Sequence, residues 1–375
     1  MKAIYDREGL LNAFKLTSSV VTARKPKAVL KNVKAVCTDT SSTLVATDLE
    51  AVGLRMEVRG VKVDEPGEAL LPTEKLSQIL RECSDKEIAI EADPAAVWVR
   101  GEHSEFELPS DDPTQYPDFP SFEGENYHQV QAGQLREMIG RTLFAAAVES
   151  PRYALTGVLW ELVGDKICLV ATDGRRLAVA DGIAIAHGSH STEGQFPVVP
   201  TKAMNLLERN LIDPDEQILV AIRSNEVLFK AGRANLYGRL VEGRYPPYRS
   251  PLEVFQKKIN SQVIVGAGQL LAVVRQAAIL TDQESRGVDF QFAENKLTLR
   301  IRAEKGRAKV ELPISYDHAP ITIKMDPRFV SDMVRTIPHD AEIQLNLADG
   351  NTPVLFRVGN SYRYVVMPLT TGGSA

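Results

Sequence analysis

The chain has 375 residues, 44% hydrophobic and 25% charged, with 44 Lys plus Arg against 49 Asp plus Glu for a net charge of −5. That length allows two to four soluble domains of roughly 100–200 residues, and the acidic balance argues against a protein that coats nucleic acid through bulk positive charge. No run approaches the roughly 18 apolar residues of a membrane span, and Met1-Lys2-Ala3-Ile4 lacks a secretory core, so a cytoplasmic chain without membrane partners is expected.

The first predicted element is a helix opening at Gly9-Leu10-Leu11-Asn12-Ala13-Phe14, where apolar residues recur at helical spacing. A strand ending in Leu44-Val45-Ala46-Thr47-Asp48 follows. A second helix opens at Leu71-Pro72-Thr73-Glu74-Lys75-Leu76, with Thr73 expected as its N-cap. Ala96–Arg100 and Ser104–Leu108, joined through Gly101-Glu102-His103, read as a hairpin. A proline-rich link from Asp111 to Pro120 is expected to stay extended, because a residue before proline avoids helical backbone.

The series then starts again. A helix opens at Gly133-Gln134-Leu135, a strand ends in Leu169-Val170-Ala171-Thr172-Asp173, and a helix follows Val199-Pro200-Thr201. A hairpin joins Val227–Lys230 to Asn235–Leu240, and a link spans Tyr245–Pro251, also expected to be extended. A third round has helices at Gly268-Gln269-Leu270 and after Met325-Asp326-Pro327, then a hairpin from Val354–Arg357 to Tyr362–Met367. Pro72 and Pro200 are 128 positions apart, Pro200 and Pro327 are 127, and Asp48 and Asp173 are 125, against 375/3 = 125. The chain is therefore a threefold repeat, and the expected fold is α+β: three units at 1–122, 123–251 and 252–375, each with two helices packed on antiparallel sheet.

Size decides what such a repeat can enclose. A unit of 125 residues is about 36 Å across, so three in a closed ring leave a hole of about 6 Å and six leave about 36 Å, against roughly 20 Å for duplex DNA. Two chains joined head to tail could surround a duplex; one could not. Phe106 and Leu108, with Ile279 and Leu280, are either the two sides of that joint or ordinary core residues. Cations spaced along the helices, such as Arg7, Lys15, Arg136 and Arg275, are either a phosphate-tolerant wall or solvated helix faces.

Catalytic chemistry is the rival class. His187-Gly188-Ser189-His190 lacks a third ligand and reads as a solvated loop, so no metal is expected. Gly266-Ala267-Gly268 lacks the lysine of a phosphate cradle, and no cofactor is implied. Asp48 and Asp173 recur with the repeat, which favours strand-end turn capping over catalysis. Cys37, Cys83 and Cys168 read as small buried hydrophobes. A nucleotide-directed enzyme and a peptide-binding scaffold remain the alternative readings of the residues alone.

Five stretches carry a resemblance. They are Arg152-Tyr153-Ala154-Leu155-Thr156-Gly157-Val158-Leu159, Val170-Ala171-Thr172-Asp173-Gly174-Arg175-Arg176-Leu177-Ala178, Val241-Glu242-Gly243-Arg244-Tyr245-Pro246, Arg286-Gly287-Val288 and Tyr364-Val365-Val366-Met367-Pro368-Leu369. In this order, over the whole chain, they resemble the bacterial sliding clamps, the beta subunits of DNA polymerase III. The resemblance implies a non-catalytic homodimeric ring of six domains that slides on double-stranded DNA without reading sequence. It also implies that the ring tethers the catalytic subunit of the replicative polymerase and is opened by an ATP-driven clamp loader complex. Other polymerases and repair proteins would bind through short peptides bearing a glutamine and hydrophobic residues.

Carried over by motif, the peptide cleft would comprise Leu155, Thr172, Gly174, Arg175, Arg176, Leu177, Pro246, Val365, Met367, Pro368 and Leu369, between the second and third units. DNA contacts would fall at Arg24, Arg152, Tyr153 and Lys202. Arg175 stands where the family usually has histidine, Pro247 where an acidic residue is common, and Ser250-Pro251 where many members carry a basic and an aliphatic residue. The tail Thr370–Ala375 runs past the usual end, with a composition that suggests disorder.

Overall fold

The computed structural model describes residues 1–21, 27–281, 287–304 and 306–369, so Arg24, Arg286 and the tail from Thr370 lie outside the described residues. Its α-helices, in chain order, are α1 (Arg7–Ser18), α2 (Thr73–Glu82), α3 (Ala132–Thr142), α4 (Thr201–Asn210), α5 (Arg249–Lys258), α6 (Ala267–Ala278) and α7 (Pro327–Val334). Six of them are the two-per-unit helices of the repeat, and the architecture is the expected α+β with three units.

Two local readings are corrected. Asp326 caps α7 by accepting from the Arg328 N–H at 2.9 Å, but α2 and α4 begin at Thr73 and Thr201 themselves, with Pro72 and Pro200 in the capping position and no side-chain cap. Neither link is extended throughout: a 3-10 turn spans Pro113–Gln115 in the first, and in the second, Tyr245–Pro251, α5 starts at Arg249. Pro251 sits in its first turn, where a missing N–H forfeits no helical bond.

The strands form four antiparallel sheets, and two of these cross between units. Strand 234–239, the last of the second unit, pairs with strand 52–57 of the first, placing Tyr237 opposite Gly53 inside a nine-stranded sheet. Strand 362–366, the last of the third unit, pairs with strand 176–183 of the second inside an eight-stranded sheet. The other two sheets stop at edges: Glu105–Pro109 ends a five-stranded sheet of the first unit and Gly306–Pro313 ends a four-stranded sheet of the third.

Helices pack on these strands with their apolar faces. Helix α1 lies on 42–47 and 52–57, α3 on 166–172 and 176–183, and α6 on 296–303 and 306–313. The core is filled by alternating strand residues and large side chains such as Phe14, Trp160, Phe229, Phe290 and Phe356, all fully buried. Trp160 meets its polar requirement by donating from Nε1 to the Met204 sulfur at 3.2 Å.

Candidate peptide cleft and nucleic-acid face

The joint between the second and third units is organised by one tight turn. Asp173 Oδ1 accepts from the Arg175 and Arg176 amides at 2.9 and 3.0 Å, and the Thr172 hydroxyl donates to the Arg176 carbonyl at 2.6 Å. Gly174, at φ +89, takes the left-handed position where a Cβ would be strained. Asp48 does the same work in the first unit, accepting from the Glu50, Ala51 and Val52 amides. Both recurring aspartates therefore cap turns.

Beyond this turn, Leu177 pairs with Val365, and Val365 pairs on its other side with Leu355. Directly opposed residues share a sheet face, so these three form one apolar row across the joint. The Met367 amide donates to the Arg175 carbonyl at 2.9 Å and the Leu369 amide to the Lys324 carbonyl at 2.7 Å, which fixes the exit of the last strand. Pro246 follows Tyr245, whose hydroxyl donates to the Val170 carbonyl at 3.1 Å.

The eleven proposed cleft residues differ in what they offer. Met367 is 41% exposed, Gly174 and Arg175 are exposed, and Leu177, Pro246, Pro368 and Leu369 are half-buried. Leu155, Thr172 and Val365 are buried, Val365 to 2% exposure. Arg176 is committed internally. Its Nε donates to Asp173 at 3.0 Å, Nη1 to Asp332 on α7 at 2.8 Å and Nη2 to the Phe144 carbonyl at 2.7 Å, and its guanidinium lies 4.6 Å from the Phe329 ring centre. It bolts the second unit to the third.

Of the four candidate DNA contacts, Arg152 and Tyr153 are exposed on the turn preceding strand 157–163, and Arg24 lies outside the described residues. Lys202, in the first turn of α4, donates to Asp48 Oδ2 at 2.6 Å and so ties the second unit to the first. Burial opposes ionisation of Asp48, but Lys202 and the turn amides outweigh it and hold the carboxyl below its usual range.

Phe106 and Leu108 line a cleft of about 600 Å³ with Ile79 and Cys83. Leu108 is buried, Phe106 is 37% exposed, Ile279 directly after α6 is 78% exposed, and Leu280 is half-buried. Among the described residues no three metal-ligating side chains converge.

Sequence reasoning missed two features. The His187–His190 stretch is not simply a solvated loop: His190 Nδ1 lies 2.6 Å from Nδ1 of the fully buried His128, and His187 stacks on Tyr127. Helix α5 and the residue that follows it lay Leu252, Phe255 and Ile259 near the Leu177–Val365–Leu355 row; their i, i+3, i+7 spacing was the available signal.

Family models for the DNA polymerase III beta subunit match the chain three times: the N-terminal domain over residues 1–120, the central domain over 129–247 and the C-terminal domain over 253–370. The chain belongs to the DNA polymerase III beta subunit family. A beta sliding clamp of Escherichia coli K12 is 29% identical over 374 residues, covering 98% of this chain and all of the relative. A beta subunit structure from Pseudomonas aeruginosa superposes with a TM-score of 0.89 at 26% identity, over 99% of this chain and 100% of that one. A Bacillus subtilis sliding clamp structure gives 0.91 at 22% identity with the same coverage, which shows the shared fold. Beta sliding clamps act by binding and not by turnover, so the chain is not an enzyme.

Proposed function

We propose that two copies of this chain close head to tail into a six-domain ring that surrounds duplex DNA and holds the replicative polymerase on it. The observation that carries this reading is the pair of sheet edges left over by the repeat. Within one chain, each joint pairs the last hairpin strand of one unit, 234–239 or 362–366, with the strand after the central turn of the preceding unit, 52–57 or 176–183. The remaining members of those two sets are 105–109 and 306–313, at opposite ends of the chain's sheet system. Pairing them between copies would join five strands to four, 5 + 4 = 9, the number at the first interior joint, and leave neither edge free.

Helix ends support the same joint. The residues after α1 and α3 reach the second helix of the next unit or the strand beside it: Val20 shares a groove with Leu206 of α4, and the Phe144 ring lies tilted against Tyr364 beside α7, centroids 5.6 Å apart. Among the described residues the corresponding Ile279, after α6, borders α7 of its own unit and stays 78% exposed while Leu280 packs partly on the core, and the Phe106–Ile79 cleft beside α2 is of the right character to take the exposed Ile279.

In this assembly Arg152, Tyr153, Lys202 and Arg24 contribute sequence-independent phosphate contacts, and topological linkage supplies retention. Partner peptides from the polymerase catalytic subunit, the clamp loader and repair proteins take the cleft around Met367, Pro246 and Leu177, where a flexible methionine lets the apolar surface adapt. Domain limits near 122 and 251 and a cytoplasmic location belong to the same reading.

The test compares retention on nicked circular DNA with retention after linearisation, once the ring has been loaded. Retention on circles and escape from linear ends is expected. Equal loss from both forms refutes encirclement. Phe106→Asp with Ile279→Asp should yield a folded monomer retained on neither.

A further inference from the structure

The strand ladders run in step through all three units. Two positions before the capping residue of α1, α3 or α6, Ile4, Gln129 and Ile264 lie opposite Ala89, Leu219 and Gln344, which in turn lie opposite Arg100, Lys230 and Arg357. One strand further, the same ladder reaches Glu105, Asn235 and Arg363. A second ladder starts at Lys34, Leu159 and Asp289, each directly after a fully buried valine, and passes through Val45, Val170 and Arg300 to Arg55, Val179 and Lys309. Both interior joints pair the ends of these ladders at the same step, Asn235 with Arg55 and Arg363 with Val179. The remaining ends are Glu105 and Lys309.

The same antiparallel step at the joint between copies sets Glu105 opposite Lys309, Phe106 opposite Ala308 and Glu107 opposite Arg307. All four charged residues are exposed, and they alternate along each edge with the apolar positions. The interior joints have no opposed charges at these steps. Where the copies would set Glu107 against Arg307, they set Tyr237 against Gly53 and Val365 against Leu177. Links cover those positions: the Phe119 ring lies 5.9 Å from that of Tyr237, and Leu252 packs on Val365. The joint between copies has no link, and unlike charges stand where the interior joints have apolar cover. Within one chain Glu105 accepts from Arg100 at 2.6 Å and Lys309 lies 2.8 Å from Glu311, so each edge also holds its charges in place.

We infer that the joint between copies is keyed by charge: an acidic edge, Glu105 and Glu107, meets a basic edge, Lys309 and Arg307, in the register above, and the partner it selects is an edge of opposite sign. The inference rests on the ring reading. It adds what that reading lacks, a reason for the direction of assembly. Two copies of strand 105–109 would bring carboxylates together and two copies of 306–313 would bring cations together, so the same charges that favour head-to-tail closure reject both head-to-head alternatives. Because the four groups are exposed, the joint weakens as salt screens them.

The experiment measures dimer dissociation of the full chain by sedimentation for Glu107→Lys, for Arg307→Glu and for their equimolar mixture. An opposed unlike pair favours the joint by about a factor of two and a like pair disfavours it by a similar factor, so either variant alone should loosen each joint about fourfold and the two-jointed ring about fifteenfold. In a mixed ring with one copy of each variant, both joints again oppose unlike charges, and the mixture should regain the affinity of the unsubstituted protein. That recovery also shows that both variants fold. Mixing Glu107→Lys with Lys309→Glu restores only a diagonal neighbour and should recover less; equal recovery overturns the register. The unsubstituted dimer should loosen about tenfold between about 0.05 and 1 M salt, a readout that needs no variant. A salt-independent dimer, variants that dimerise like the unsubstituted protein, or a mixture no tighter than its components overturns the key and leaves the ring standing. A chain that stays monomeric at low salt overturns the ring and the key with it.

Discussion

Replacing Arg176 with alanine tests whether this residue holds the protein together or contacts a partner. Its side chain is 11% exposed and donates to Asp173, Asp332 and the Phe144 carbonyl. Removing one side of a buried ion pair costs about 3–5 kcal/mol, because the partner charge is left unsatisfied. Asp332 is 34% exposed, so water restores part of that loss, and about 3 kcal/mol is expected at the joint. Arg176→Lys keeps the charge but cannot reproduce the fork that reaches three acceptors, and should cost about half as much. A three-unit chain need not unfold in one step, so the readout is hydrogen exchange of strands 176–183 and 362–366 rather than a single melting curve. A double-mutant cycle with Asp332→Asn should show coupling above about 1 kcal/mol. If Arg176→Ala left exchange at this joint within about 0.5 kcal/mol of the unsubstituted protein while abolishing peptide binding, the bolt would be refuted and the residue would be a direct contact.

Three further perturbations follow from equally local geometry. His128 Nε2 donates to the Gly164 carbonyl at 2.9 Å and His190 Nε2 accepts from the Ile222 amide at 2.9 Å, so the short contact between their Nδ1 atoms is satisfied when both rings are neutral, with His190 donating. Burial lowers both pKa values most; the Gly164 carbonyl and Asp165 pull His128 part of the way back up while His187 pushes it down, and His128 pushes His190 down further. A depressed histidine stabilises above its unfolded value of about 6.5 and loses that stability as pH falls, at up to about 1.4 kcal/mol per pH unit per proton taken up. The protection factors of amides 185–195, corrected for slower intrinsic exchange at lower pH, should therefore drop below pH about 6.5, and constant protection factors would refute the neutral pair. A Cβ on Gly53 would sit 2.7 Å from ring carbons of Phe119, so Gly53→Ala should cost about 1–3 kcal/mol, less in a Phe119→Ala background, as read by denaturant melts of both variants. Lys202→Ala leaves the nearly buried Asp48 unpaired and should weaken the first joint by about 1–2 kcal/mol, with Asp48→Asn in the same chain recovering most of it; no recovery would mean that Lys202 acts elsewhere.

The fold was legible because its signals are local and repeated. Helical spacing at Leu76, Ile79 and Leu80, alternation along Ala96–Arg100, and the two Ala-Thr-Asp turns each report a neighbourhood of a few residues. What stayed hidden depends on long-range pairing. His128 meets His190 across 62 positions, and Arg176 meets Asp332 across 156, so no window along the chain contains both partners. Motif resemblance put both Arg176 and Leu177 in the cleft, but alternation along a strand sends adjacent side chains to opposite faces, and the motif could not show that Arg176 also reaches Asp332 and the Phe144 carbonyl. Helix α5 was hidden for a different reason. Three prolines from 246 to 251 read as an extended link, and only the first-turn tolerance of Pro251 lets a helix start there. The threonine caps failed because Pro72 and Pro200 already set the backbone entering the helix, so Thr73 and Thr201 fall inside the first turn.

In the proposed ring all three joints use the same strand pairing, yet they cannot be equally strong. The first interior joint adds the Lys202–Asp48 pair and a link whose Tyr116 hydroxyl donates to the Asn32 carbonyl and whose Phe119 lies under Arg55. The second adds Arg176 with Asp332 and a link that packs Tyr245 and Tyr248 on the outer sheet face. Both gain from a covalent connection, which keeps the partner strand at an effective concentration of about the millimolar range even when the joint breathes. The joint between copies would have no such link, and it would rest on edge pairing plus the seating of Ile279 in a cleft still about 600 Å³ when empty. A ring that must open to admit DNA should part there, and the interior joints are built to stay shut while it does.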